Sequence, residues 1–222
     1  MSTRHGGDAA ADDRQVEHRL SADLDRAQTR LLEVDHRIKN DLQLLTSVLV
    51  LQLRRLAEGP ERTAIRGALE RVNAVAAVHR RLDVAGDPAR FEASALIGDL
   101  ARDVLSAERR DDVELRLDLV PTLVPARQAA PLALITGELM RNALRHAFPG
   151  RPGEMELSFG PDSGAIRLSV RDDGVGLPPG VAAPAGFGAS LVALLAQQLR
   201  GKFEVAPADP GLHAIVRFPA PV

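Results

Sequence analysis

Gly137-Glu138-Leu139-Met140-Arg141-Asn142-Ala143-Leu144-Arg145-His146-Ala147 is the stretch on which the reading of this chain turns. It closes a helical pattern that runs from about Gln128 to Ala147 and is stopped by Pro149-Gly150. Glu138 and Asn142 stand one helical turn apart and project from one face. Leu139, Ala143 and Ala147 are apolar and offer a surface to pack on a sheet. A carboxylate and a carboxamide aimed together, with Arg145 and His146 a turn further on, suit a magnesium–phosphate site. Mg²⁺ takes a few oxygen ligands and keeps waters, so an Asn carbonyl is adequate. Taken alone, the same residues would also serve as the wet side of an ordinary amphipathic helix.

The flanking sequence alternates. Val113, Leu115, Leu117 and Leu119 predict a half-buried strand, with a helix before it from a Ser94 N-cap to about Ser106. After the central helix come Met155-Leu157-Phe159 and Ile166-Leu168-Val170, joined as a hairpin through Pro161-Asp-Ser-Gly164. A helix from about Phe187 to Leu199, capped by Gly201, and strands at Phe203–Val205 and Ile215–Phe218 complete the pattern. Hairpin-joined strands mixed with helices predict a mixed or antiparallel sheet covered by helices on one face, an α+β fold.

Two further motifs sit in this half. Arg171-Asp172-Asp173-Gly174-Val175-Gly176 follows a strand directly. A carboxylate there can accept a hydrogen bond from an exocyclic amine such as that of adenine, and the glycines let backbone approach a ligand. Gly186-Phe187-Gly188 opens a helix, where free N–H groups favour phosphate. No Gly-x-x-x-x-Gly-Lys-Ser/Thr is present, which excludes a P-loop protein. In this order, the three stretches resemble the N, G1 and G2 boxes of the GHKL (Bergerat) ATP-binding fold, an α/β sandwich found as the catalytic domain of histidine kinases.

Upstream, Leu20, Leu24, Ala27, Leu31, Val34, Ile38, Leu42, Leu45, Leu49, Leu53 and Leu56 form one seam of a long helix. His36 falls on the opposite, wet side with Lys39, Asn40 and Gln43. Glu58-Gly-Pro60 turns the chain into a second helix, about Glu61 to Leu82, with Ile65, Leu69, Val72, Ala76, His79 and Leu82 on one face. His79 reads as a core histidine. The pair predicts an antiparallel hairpin, and two such hairpins in a symmetric dimer would bury their seams as a four-helix bundle. Glu33-Val-Asp-His36-Arg-Ile-Lys-Asn40-Asp-Leu-Gln43 resembles the phosphoacceptor box of the second HisKA-type dimerisation family, relatives of the HWE kinases. The chain has no Trp, which argues against the HWE subclass itself, and Asp35 stands where the family often has a second His.

The resemblance implies an ATP-dependent protein-histidine kinase of a two-component phosphorelay. His36 would accept the phosphoryl group and Glu138 would serve as base or electrostatic partner. Asn142 would hold Mg²⁺, Arg145 and His146 would lie near the phosphates, and Asp172 would read adenine. Gly174, Gly176, Gly186 and Gly188 would shape the nucleotide loops. ATP and Mg²⁺ are the implied cofactors and a response-regulator receiver the implied partner, faced by Lys39, Asn40 and Gln43. The domain reading is a disordered stretch 1–15, a dimerising hairpin 16–83, a linker 84–90 and an ATP-binding domain 91–222.

Composition narrows the alternatives. The chain has 222 residues, a net charge of −2, no cysteine, no tryptophan and no tyrosine. Disulfides and thiolate metal sites are excluded, and the balance gives no reason to expect nucleic acid or an anionic membrane. No apolar run approaches the ~20 residues that span a bilayer, and no signal-peptide core is present, so a cytoplasmic protein is expected. No sensor domain is read ahead of the helix, so either a separate sensor partner or a role other than mainly kinase is expected. Leu177-Pro-Pro-Gly-Val-Ala-Ala-Pro-Ala185 is short and offers no cation to the phosphates, and Ala189 replaces a larger apolar residue usual in the family. Two rivals stand beside the kinase: a phosphotransfer or phosphatase protein with a degenerate ATP domain, and an anti-sigma serine kinase. The helices of residues 16–82 count against the second.

Overall fold

The computed structural model describes residues 26, 33, 34, 36–82, 90–177 and 186–220. The expected disordered stretch 1–15, Asp35, most of the expected linker and most of the segment between Gly176 and Gly186 lie outside these. By internal contact the chain forms two units, Met1–Leu56 and Ala57–Val222.

The first unit contains helix α1, continuous over 36–55. His36, Asn40 and Gln43 are exposed and Lys39 is half-buried, but Val34 and Leu45 of the expected seam are exposed as well. Glu33 and Arg37 form an i,i+4 ion pair beside the imidazole. Leu44, Leu45, Val48 and Leu51 are also exposed, Leu44 by 65% and Leu51 by 55%. An apolar flank this open is unusual for large aliphatic residues lying on one side of a single helix.

The second unit begins with helix α2 (Pro60–Leu82). Strand β1 (Arg90–Glu92), helix α3 (Ala93–Ala107), strand β2 (Val113–Leu119) and strand β3 (Leu123–Pro125) follow. Helix α4 (Ala129–His146), strands β4 (Gly153–Asp162) and β5 (Ala165–Asp172), helix α5 (Phe187–Gln198), and strands β6 (Lys202–Pro207) and β7 (Leu212–Pro219) complete it. The main sheet has the order β2-β4-β5-β7-β6; β2 runs parallel to β4 and every other pair is antiparallel.

Period-2 alternation decides the sheet's two faces. Met155, Leu157 and Phe159 of β4, Ile166, Leu168 and Val170 of β5, and Val216 and Phe218 of β7 are buried in one core with Leu132, Ile135 and Met140 of α4. The other face carries Arg167, Arg171, Glu154, Glu156, Glu204 and Arg217, where Arg217 bridges Asp162 and Glu204. The same alternation carries Asp172 inward behind Ile166, Leu168 and Val170, at the strand's end. The β4–β5 hairpin turns on Ser163 and Gly164, both at positive φ, the two-residue geometry that matches strand twist.

Four local expectations are corrected. The N-cap of α3 is Glu92, not Ser94: its carboxylate accepts the N–H groups of Ser94 and Ala95. A short antiparallel pairing of β1 with β3, absent from the sequence reading, fixes Glu92 at the strand–helix joint, where it also accepts the Thr122 N–H. At the end of α5 the left-handed residue is Arg200 (φ 58), not Gly201. The Arg200 N–H donates to Gln197 O and the Gly201 N–H to Ala196 O, the paired bonds of a Schellman stop. In α2 the fully buried residue is Val78, outside the expected seam, while His79 is half-buried. Arg90, placed in the linker by sequence, opens β1.

Candidate nucleotide site

Helix α4 carries two functional stripes. Leu139, Asn142, Ala143 and His146 recur at i, i+3, i+4 and i+7 and line a cavity of about 390 Å³. Glu138, Arg141 and Arg145 form the neighbouring stripe, which meets α2. The expected site residues therefore divide. His146 does line the cavity, but Arg145 does not: its guanidinium pairs with Glu108 at 2.9 Å and lies 3.8 Å from Glu70.

Across the cavity from Asn142 stand Val170 and Asp172 of β5, and Val205, Leu212 and Ala214 of β6 and β7. The walls are mostly apolar, with a few polar groups among them, which suits a flat aromatic ligand with an edge to be read. Asp172 is 5% exposed. Its Oδ1 accepts the N–H of Gly174 at 3.0 Å and of Leu212 at 3.2 Å. Among the described residues no group donates a hydrogen bond to Oδ2. Burial pushes the Asp172 carboxyl up, by more than these two hydrogen bonds pull it down.

The glycines do steric work at two places. At Gly174 a Cβ would stand 2.6 Å from the Ala147 Cα. The loop thus lies directly on the end of α4, and the Val175 N–H donates to Ala147 O at 2.9 Å. At Gly188 a Cβ would stand 2.7 Å from Glu138 Oε2 and 3.5 Å from Asn142 Oδ1. The first turn of α5 is thereby brought against the carboxylate and carboxamide of α4. Gly186 precedes α5 with φ 119, and no side chain caps the helix, so its first N–H groups have no side-chain acceptor. Gly176 lines the cavity at φ 69.

Glu138 is 3% exposed and is held by two guanidinium groups. Arg71 of α2 donates Nε to Oε1 and Nη2 to Oε2, both at 3.0 Å, and Arg141 donates Nη2 to Oε1 at 2.7 Å. Burial pushes this carboxyl up, but the bonds from Arg71 and Arg141 prevail and hold it below the ordinary carboxylate range. Sequence reasoning missed Arg71, which lies 67 residues away on another element. It also missed Arg110, whose guanidinium caps Leu144 O, Phe148 O and Arg151 O at the end of α4.

Residues 33–108 match a family model described as histidine kinase, of the second HisKA type. Residues 128–222 match one described as histidine kinase-, DNA gyrase B-, and HSP90-like ATPase. The chain belongs to the histidine kinase family. Among curated histidine kinases, sensor histidine kinase PdtaS of Mycobacterium tuberculosis is 32% identical over 154 residues, covering 67% of this chain and 30% of that protein. Blue-light-activated histidine kinase 2 of Erythrobacter litoralis is 27% identical over 216 residues, covering 92% of this chain and 62% of that protein. The chain thus spans less than two thirds of these curated relatives. A solved histidine kinase domain, that of the Erythrobacter litoralis EL346 blue-light activated histidine kinase, superposes with a TM-score of 0.65 at 21% identity. That match covers 82% of this chain and 94% of the other. The fold is that of a histidine kinase core, a helical region followed by a mixed α/β GHKL-type domain. No helix among the described residues is long and apolar enough to cross a membrane.

Proposed function

We propose that this histidine kinase core binds Mg-ATP in the cavity beside Asp172, phosphorylates His36, and passes the phosphoryl group to an aspartate of a receiver protein. The observation that carries this reading is Asp172. It is a buried carboxylate with one oxygen fixed by backbone and the other left to a ligand at the wall of an apolar cavity. That is the acceptor an adenine amine needs.

The residues at the phosphate end fit the rest of the nucleotide. Asn142 offers one carbonyl oxygen, with phosphates and waters left to complete the shell of a Mg²⁺ ion. Such an ion, when bound, neutralises phosphate charge as the terminal group departs. Gly186 and Gly188 open a helix start to the phosphates. The neutral imidazole of His36 attacks the terminal phosphorus through its lone pair. An N–P bond forms and the P–O bond to ADP breaks. The proton on the other ring nitrogen, made acidic by the new bond, passes to the Glu138 carboxylate.

His36 is exposed, and a phosphoacceptor must be, because the ATP-binding domain and then the receiver must both reach it. Lys39, Asn40 and Gln43 surround it as the receiver-facing set. Residues 16–83 act as the dimerising hairpin, 84–90 as the hinge and 91–222 as the ATP-binding domain. The open flank of Leu44, Leu45, Val48 and Leu51 supports burial against a second copy. The protein works in the cytoplasm.

Calorimetric titration with Mg-ATP tests the reading. The wild type binds, and Asp172→Asn, which replaces the acceptor with an amide donor, binds at least about tenfold more weakly. Equal affinity in the two proteins would remove Asp172 from adenine recognition.

A further inference from the structure

Glu138 is engaged from three elements. From α2, Arg71 takes both carboxylate oxygens, and Glu70 beside it pairs with Arg141 at 3.5 Å and lies 3.8 Å from Arg145. From α4 itself, Arg141 takes Oε1 at 2.7 Å. From α5, the Gly188 backbone crowds Oε2. The Arg71 guanidinium also lies 4.6 Å from the centroid of the Phe187 ring. Phe187 is 69% exposed, so Arg71 covers an aromatic residue that the fold otherwise leaves largely in water. One arginine thus joins α2 to the carboxylate of α4 and to the first residue of α5, between the two phosphate-loop glycines.

A bidentate guanidinium–carboxylate pair is directional and strong. It is also a poor arrangement for a base, because a proton acceptor needs a lone pair turned toward the group that gives up its proton. We propose that Arg71 is a positioning residue that restrains Glu138. While α2 holds both oxygens, Glu138 cannot receive the proton leaving His36, and phosphoryl transfer requires Arg71 to let go. The inference rests on the reading of Glu138 as base given above. It adds that α2 is a latch on the ATP-binding unit, and that Phe187 couples this latch to the phosphate loop.

The test compares wild type, Arg71→Gln, Arg71→Lys and Glu138→Gln. Initial rates of autophosphorylation are measured at saturating Mg-ATP across the neutral and mildly acid range, and Mg-ATP affinity is measured separately by calorimetry. Arg71→Gln keeps a polar side chain of similar reach but cannot hold the carboxylate with a charged fork. It is expected to raise the neutral-pH rate by at least about threefold and to move the acid limb of the profile to higher pH. Its Mg-ATP affinity stays within about twofold of wild type, since Arg71 is outside the cavity. Arg71→Lys falls between the two, because an ammonium is a point charge and not a fork.

A lower rate in Arg71→Gln, or an unmoved acid limb, overturns the proposal and leaves Arg71 a packing residue. A parallel loss of Mg-ATP affinity overturns it too, by making Arg71 a phosphate ligand. Glu138→Gln tests the underlying reading separately. Full activity with the wild-type pH profile in that variant removes Glu138 from the chemistry, and the latch with it, whatever Arg71→Gln does.

Discussion

Asp172 Oδ1 accepts the backbone N–H of Leu212, forty residues further along the chain, at 3.2 Å. With the Gly174 N–H on the same oxygen, this bond ties the end of β5 to the start of β7. The carboxylate is held at the cavity wall by backbone alone, so its orientation does not depend on a mobile side-chain partner.

The raised pKa of Asp172 makes two opposite predictions. Burial raises it above the ordinary aspartate value of 3.8. The protonated acid no longer offers a charged acceptor, so adenine nucleotide affinity falls on acidification at a higher pH than an ordinary aspartate would give. For stability the sign reverses: the raised folded-state pKa favours folding fully below the unfolded value, and this contribution is lost as pH rises through the folded one. At neutral pH Asp172→Asn is therefore at least as stable as wild type by thermal melting while binding Mg-ATP worse.

Glu138 behaves the other way. Its folded-state pKa lies below 4.5 despite burial, because Arg71 and Arg141 donate to it. Its stabilisation is present above the unfolded value and is lost as pH falls through the folded one. Glu138→Ala leaves the buried Arg141 short of a carboxylate and is expected to cost about 3 kcal/mol at neutral pH. Denaturant unfolding followed downward from neutral pH should show that cost shrinking below about pH 4.5.

Gly174→Ala should weaken nucleotide binding more than its size implies. Its Cβ meets the backbone of Ala147, which is part of a buried helix end and cannot swing away. The loop must lift from α4, and the Val175 N–H to Ala147 O bond and the Gly174 N–H to Asp172 bond are lost or stretched. A loss of at least about tenfold in Mg-ATP affinity is the expected calorimetric result.

Arg200 offers a prediction remote from the site. It is exposed and left-handed at the stop of α5, where glycine carries no steric penalty. Arg200→Gly should raise stability by about 1 kcal/mol in urea unfolding, with Mg-ATP affinity unchanged.

What the sequence made legible follows the range of each interaction. Alternation in β2, β4, β5 and β7 and the 3.6-residue period in α4 are local, and the structure repeats them nearly residue for residue. The shared side of Glu138 and Asn142 was legible from their i,i+4 spacing, but the approach of Gly188 to them was not, because it joins two helices about fifty residues apart in the chain. The clasp of Arg71 on Glu138 was not, since nothing in the spacing of α2 marks Arg71 among its many arginines. Strands β1 and β3 were missed because three residues each are too short to show a period. The stop of α5 was assigned to Gly201 on propensity, whereas helix geometry places Arg200 at the left-handed position.

The most direct measurement of the central claim is incubation of the protein with Mg²⁺ and ATP labelled on its terminal phosphate, beside His36→Ala. Wild type should take up label that is lost in acid and survives alkali, as a phosphorus–nitrogen bond does, and His36→Ala should take up none. Label that persists in His36→Ala, or that survives acid as a hydroxyl ester, would contradict the assignment of His36 as the phosphoacceptor.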